Sequence, residues 1–330
     1  MSSKYSLKAR ISKCKIKGKA LIIVEGHTDK KIYDNIINEK VTEDSNKYEL
    51  KSVKEFSEIN SGGCNQILNL LEINRSYLES NPIIKNMFLA FIDGDAKVIR
   101  TEDKFESFKE FIHKLKYYSI ESYCFSEKCL EKILSQYLVG TRDEISKFSP
   151  LVYENIIKNI SEDAFNLAIL CILNDKGIIK SRLSYGLSEG IFIEGKRFFN
   201  TINGEVEKHK EEIEEYVKNN NLECNFEIIK IITKGKHLIY LVSKELSNQI
   251  KLLNSKKICE TYASSDVFKE ICCTNLDKCD KEKCSFSLEE LHGQPFNKDI
   301  FVSLLTSSIK NNIDYNECEE IIESLKRVVI

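Results

Sequence analysis

Two short acidic clusters, each closing a run of apolar residues, constrain this chain more than any other feature. Ala20-Leu21-Ile22-Ile23-Val24 ends in Glu25-Gly26-His27-Thr28-Asp29, and Met87-Phe88-Leu89-Ala90-Phe91-Ile92 ends in Asp93-Gly94-Asp95. Short continuous apolar runs bounded by turn residues read as buried strands of a parallel sheet. Carboxylates at the C-terminal ends of neighbouring parallel strands point into one crevice, where open α/β sheets place their sites. Like charges gathered there repel, and a divalent cation relieves the repulsion. Hard oxygen ligands favour Mg2+ or Mn2+ over zinc. The expected chemistry is metal-dependent work on phosphate.

The pattern around these clusters supports an α/β fold. The first strand is Leu21–Val24, and a helix begins near Asp29 with Ile32, Tyr33, Ile36 and Ile37 on one face. A strand follows around Tyr48–Val53, and the loop Asn60-Ser61-Gly62-Gly63 leads into a helix carrying Ile67, Leu68 and Leu71. Phe105, Phe108, Phe111, Ile112 and Leu115 mix helical and strand spacing, so that segment stays open. From about Ser126 helical periodicity dominates, over Glu127–Leu138, Glu154–Leu173, Glu205–Asn219, His237–Leu253, Asp299–Asn311 and Asn316–Val328. Short strands are expected at Ile191–Ile193 and Phe226–Ile232. The expectation is a mostly parallel sheet flanked by helices over residues 1–125. Residues 126–330 form a mainly helical region for substrate, dimer or partner contacts.

A formal net charge of −2 over 330 residues excludes a globally basic protein. The charge is uneven, however: Lys4, Lys8, Arg10, Lys13, Lys15, Lys17 and Lys19 precede the first strand with no acid among them. A basic edge beside an acidic metal site suits a polyanion; a solvated strand or arm is the plain alternative. No apolar run approaches the roughly 20 residues that span a bilayer, and residues 1–19 lack the apolar core of a secretory signal. A cytoplasmic protein without a membrane partner is expected. Most of the twelve cysteines sit singly in apolar surroundings, like Cys171, and read as small buried hydrophobes. Cys272, Cys273, Cys279 and Cys284 are the exception, clustered in a polar stretch with His292 beyond them. Four thiolates, or three and an imidazole, could close a structural Zn2+ site. The spacing is not a paired C-x2-C, and incidental exposed cysteines are the alternative.

Glu25-Gly26 after a strand, Gly62-Gly63 in a loop, and Asp93-x-Asp95 after a later strand together resemble the TOPRIM domain. Glu25-Gly26-x-x-Asp29 resembles its OLD branch, in which the additional Asp is a metal ligand. Tyr118-Ser119-Ile120-Glu121-Ser122-Tyr123 resembles the YSIENY motif of a TOPRIM-like family found in anti-phage loci, typified by the toxin subunit of the PARIS defence system. Thr233-Lys234-Gly235-Lys236-His237 resembles a GK segment common in that family. Two positions depart from its pattern: Gly94 stands where Arg is frequent, and Ser122 where Asn is usual.

The resemblance implies a Rossmann-like TOPRIM sheet and in-line hydrolysis of phosphodiester bonds. Asp93 and Asp95 would hold one Mg2+ or Mn2+ with Glu121 assisting; Glu25 and Asp29 would complete a second site, Glu25 also serving as general base. It further implies RNA, specifically tRNA, as substrate. The chain has no GxxxxGK[ST] loop, so an ABC-type ATPase sensor would be a separate partner that holds it inactive, with a homodimer as the released form. OLD-type relatives imply DNA instead, and an RNA-maturing TOPRIM nuclease is a further alternative. From a different class comes a catalytically silent binding subunit whose acidic pocket only docks a partner. Each residue also has a plain reading. Glu25 and Asp29 suit an N-cap and first-turn acid, Gly62-Gly63 a turn, and Glu121 an exposed acid at a helix start. Lys236 and His237 read as surface residues at a helix start.

Overall fold

The computed structural model describes residues 4–41, 45–94, 105–139, 142–186, 196–254, 287–288 and 298–328. The chain divides into two compact units, one of Met1–Tyr123 with Tyr315–Ile330 and one of Cys124–Asp314. The division falls at Tyr123, but the expectation that everything beyond 125 forms one region needs correcting. The last helix, Glu319–Arg327, belongs to the first unit. Its periodicity was legible in the sequence; the unit it joins was not.

The first unit is built on four strands: β1 Ala20–Val24, β2 Tyr48–Ser52, β3 Phe88–Ile92 and β4 Ile112–Lys114. They lie in the order β2-β1-β3-β4, and all pairs are parallel. Leu21 faces Glu49 on one side and Phe88 on the other. Every residue of β1 and β3 is buried, as the unbroken apolar runs require of central strands covered on both faces. Three helices flank them: α1 Leu7–Ile16, α2 His27–Ile36 and α3 Cys64–Ile73. Alternation along the strands sorts the side chains. Leu21, Ile23, Phe88, Ala90 and Ile92 join a core with Leu7 and Ile11 of α1 and Ile67, Leu70 and Leu71 of α3. Phe91, on the opposite face, packs on Tyr33 of α2 with ring centroids 4.7 Å apart, and on His113 of β4 at 5.2 Å. Ser324 of the C-terminal helix reaches the His113 Nδ1 at 2.7 Å, placing that helix on the α2 face.

The basic N-terminal segment is a helix over Leu7–Ile16, not the solvated strand or arm of the plain alternative. Ser6 caps it by accepting from the Ala9 amide, and Leu7, Arg10, Ile11 and Cys14 bury one face. The spacing i, i+3, i+4, i+7 was present but masked by the interleaved lysines. The open segment Phe105–Leu115 resolves into a short strand, β4, after a 3-10 turn.

The second unit is helical, centred on the long helix Arg142–Asp175, which buries Phe148, Val152, Ile156, Ala164, Leu167 and Cys171. Phe226–Ile232 is a helix capped by Asn225 rather than a strand: its Ile-rich run has β-propensity, but tertiary packing decides a segment this short. Ile191–Ile193 lies outside the described residues. Among the described residues no helix is long and apolar enough to cross a membrane.

Candidate functional site

Strand order alone marks one place in the first unit. From β1 the chain crosses to β2 on one side, then returns to place β3 on the other. The β1/β3 border is therefore the topological switch point, where loops leave in opposite directions and open a crevice at the strands' C-terminal ends. Glu25 follows β1 and Asp93 follows β3, and both are half-buried. The Asp93 amide donates to Glu25 Oε1 at 2.8 Å, joining the two strand ends through one carboxylate.

Asp29 sits one turn into α2. Its Oδ2 accepts from the Gly26 amide at 2.8 Å and its Oδ1 from the Thr28 hydroxyl at 3.1 Å. This is the carboxylate half of a capping box; Gly26, having no side chain, cannot return the other half. The plain reading of Asp29 as a first-turn acid thus holds geometrically.

Tyr33 was counted in the sequence only as core. It is 2% exposed beside these carboxylates. Burial, and then the charges of Asp93 and Asp29, push its hydroxyl well above the usual phenol range. Its i+4 relation to Asp29 was the available signal, since such residues share a helix face.

Two glycines fix the backbone here by close approach. A Cβ on Gly62 would meet Lys54 Cε at 2.9 Å and the Glu25 carbonyl oxygen at 3.0 Å, so the Gly62-Gly63 loop lies directly against the end of β1. Gly63, at φ 105°, then caps α3 in a conformation that L-residues rarely adopt. Gly94 is tighter still. A Cβ there would lie 2.2 Å from the Tyr117 carbonyl oxygen and 2.7 Å from that of Leu115. No side chain fits, which accounts physically for Gly at a position where the resembling family often carries Arg.

Residues 115–123 are bound to this end of the sheet. The Gly94 amide donates to the Tyr117 carbonyl at 3.1 Å, and the Leu115 amide to that of Ile92 at 3.0 Å. The Tyr118–Tyr123 motif is buried: Glu121 is 6% exposed in the 3-10 turn Ile120–Cys124, so it is not the exposed helix-start acid of the plain reading. Ser122, standing where Asn is usual, is fully buried with its hydroxyl unpartnered. Tyr123 donates to Glu320 Oε1 at 2.8 Å and accepts from the Lys116 amide at 3.1 Å, so the C-terminal helix clasps the motif.

Glu25, Asp29 and Asp93 are thus brought to one region, with Glu121 buried on the neighbouring turn. Asp95 lies outside the described residues, as do Cys272, Cys273, Cys279, Cys284 and His292. Among the described residues no group of three or more His, Cys, Asp or Glu is arranged to hold a metal ion. Glu25 and Asp93 have the right chemistry for Mg2+, which is usually held by one or two carboxylates together with water and substrate phosphates. By themselves they do not complete a cage. In the second unit, His237 corrects its surface reading. It is 1% exposed, and burial, then Lys234 and Lys236, lower its imidazole to about 3.

The chain matches no known protein-family description, and no curated protein matches it.

Proposed function

We propose that this chain is a metal-dependent nuclease of the TOPRIM type that hydrolyses phosphodiester bonds in the cytoplasm. One observation carries the reading: Glu25 and Asp93 end the two strands that border the switch point, and the Asp93 amide hydrogen-bonds the Glu25 carboxylate. Glu25, Asp93 and Asp95 would hold Mg2+ or Mn2+, which when bound neutralises charge on the reacting phosphate. Glu25 accepts from the Asp93 amide through Oε1, which fixes its carboxylate at the end of β1. Asp29 holds the turn after β1 and adds negative charge beside it. The cysteines described are free thiols, which suits a reducing compartment.

The finer reading rests on the sequence resemblance of Tyr118–Tyr123: a toxin effector of anti-phage defence, cutting tRNA as a homodimer once released from an ABC-type ATPase partner. A catalytically silent binding subunit is the second reading, favoured by the lack of a three-ligand metal group among the described residues.

Glu25→Gln separates the two. Glutamine retains the oxygen that accepts from Asp93 but loses the charge. The expected result is loss of Mg2+-dependent cleavage of tRNA and of single-stranded DNA, with the melting temperature kept within about 2 °C. EDTA should abolish wild-type cleavage. Full activity in Glu25→Gln, or cleavage that survives EDTA, refutes the nuclease reading; an inert wild type that still binds nucleic acid supports the silent subunit.

A further inference from the structure

A basic concavity in the first unit adjoins the carboxylates. A cleft of about 600 Å3 in the first unit is lined by Lys4, Arg10, His27, Lys30, Lys51 and Lys54, with Glu55 as its acid. Those side chains come from separate places in the sequence: the N-terminal segment and α1, the first turn of α2, and the end of β2 with the turn beyond. His27 and Lys30 lie in and just after the Glu25–Asp29 motif. Lys54 is closer still to the site. Its Cε and the Glu25 carbonyl oxygen would lie 2.9 Å and 3.0 Å from a Cβ on Gly62.

The charges in this cleft are only partly matched. Arg10 Nη1 pairs with Glu49 at 2.7 Å, Lys30 with Glu55 at 3.0 Å, and Lys51 with Glu55 at 3.1 Å. Burial raises the Glu55 carboxyl, but the Ser52 amide with Lys30 and Lys51 outweighs it and holds the group down at about 2. Five permanent cations therefore face two carboxylates. Arg10 is 8% exposed, and its Nε has no hydrogen-bond partner, leaving a buried guanidinium donor unspent. Planar guanidinium donors and clustered ammonium groups suit a phosphate.

We propose that this cleft is the backbone subsite of the enzyme, seating a phosphate of a single nucleic-acid strand beside the bond held at Glu25 and Asp93. The inference rests on the nuclease reading for its substrate class, but it makes a separate demand on binding. Lys54 and Arg10 hold the phosphate, and Glu55 keeps Lys30 and Lys51 in place when the cleft is empty. An acidic segment of a partner protein is the competing occupant.

The test uses the full chain as Glu25→Gln, so that nothing is cut. Fluorescent twelve-nucleotide oligouridylate and oligothymidylate are titrated between 50 and 200 mM KCl. Adding Lys54→Ala should weaken binding of both probes roughly 5-fold and lower the salt slope by about 0.7, one phosphate contact to a single strand. Glu55→Gln, which releases Lys30 and Lys51, should tighten binding. Lys85→Ala, at the opposite edge of the sheet ahead of β3, should change neither quantity. Unaltered affinity and slope in both Lys54→Ala and Glu55→Gln overturn the subsite. So does binding of polyglutamate in preference to either oligonucleotide, or no binding of the probes at all. The two readings fail separately: a wild type that cleaves while Lys54→Ala is silent loses only the subsite. A wild type that never cleaves while Lys54→Ala weakens binding loses only the nuclease.

Discussion

Replacing Gly94 with Ala tests the packing that sets the candidate site. The new Cβ would stand 2.2 Å from the Tyr117 carbonyl oxygen, 2.7 Å from that of Leu115, and 2.9 Å from the Tyr117 carbonyl carbon. All three are backbone atoms, so no flexible side chain can swing aside. Ordinary contact at such an atom needs about 3.4 Å, and the segment must withdraw by on the order of 1 Å. Overpacking of that kind costs roughly 1–3 kcal/mol. The Gly94 amide's bond to the Tyr117 carbonyl, 3.1 Å long, would stretch past useful range, adding about 1 kcal/mol. The sum is about 2–4 kcal/mol, or a fall in the first unit's thermal midpoint of roughly 5–12 °C by calorimetry. Gly204→Ala serves as the control of opposite sign. Gly204 lies in the helix Lys196–Lys208 with nothing within 4 Å of its would-be Cβ, so alanine should stabilise by about 0.5–1 kcal/mol. A Gly94→Ala midpoint within 2 °C of wild type would show that the backbones at 94 and 117 do not meet as described.

His237 makes the second unit acid-sensitive. Its folded-state value of about 3 lies below the unfolded 6.5, so the neutral ring's contribution is complete above 6.5 and is lost as pH falls towards 3. Wild type should lose about 2 kcal/mol through this residue between pH 6.5 and 5, and His237→Gln should lack that part of the pH dependence; identical profiles in thermal melts would refute it. The C-terminal clasp predicts coupling between Tyr123 and Glu320. Tyr123→Phe should cost about 1–3 kcal/mol, and a double-mutant cycle with Glu320→Gln should give a coupling of about 1–2 kcal/mol in urea titrations; additivity within 0.3 kcal/mol would break the argument.

The parts of this molecule that could be read in its sequence are those where one local signal has one structural outcome. The apolar runs at Ala20–Val24 and Met87–Ile92 could only be buried, and central parallel strands are buried on both faces, so β1 and β3 and the acids beyond them were legible. Phe226–Ile232 was not, because an isoleucine-rich run of seven residues is apolar in either state and only Asn225's cap and the surrounding helices decide it. The N-terminal helix hid for the opposite reason: its lysines dominate the composition, while Leu7, Ile11 and Cys14 are the apolar residues of a buried face that also holds Arg10. The return of Glu319–Arg327 to the first unit depends on the Tyr123–Glu320 and His113–Ser324 contacts, which span nearly two hundred residues or more and leave no periodic trace.

At the site itself, the motif Glu25-Gly26-x-x-Asp29 satisfies two demands with the same residues. The spacing that would place Asp29 near a metal is also the spacing at which a carboxylate caps the Gly26 amide, and the structure realises the cap. The cap and a ligand role ask the same thing of this side chain: the Gly26 amide and the Thr28 hydroxyl hold the Asp29 carboxylate in one orientation, and a carboxylate held this way is preorganised. Thr28 and Gly26 would then act as positioning residues for Asp29, as the Asp93 amide does for Glu25. Discrimination between a structural and a functional acid at this position therefore lies in charge, not in shape. Asp29→Asn, which keeps one acceptor for the Gly26 amide while removing the charge, should spare the fold and weaken metal-dependent cleavage.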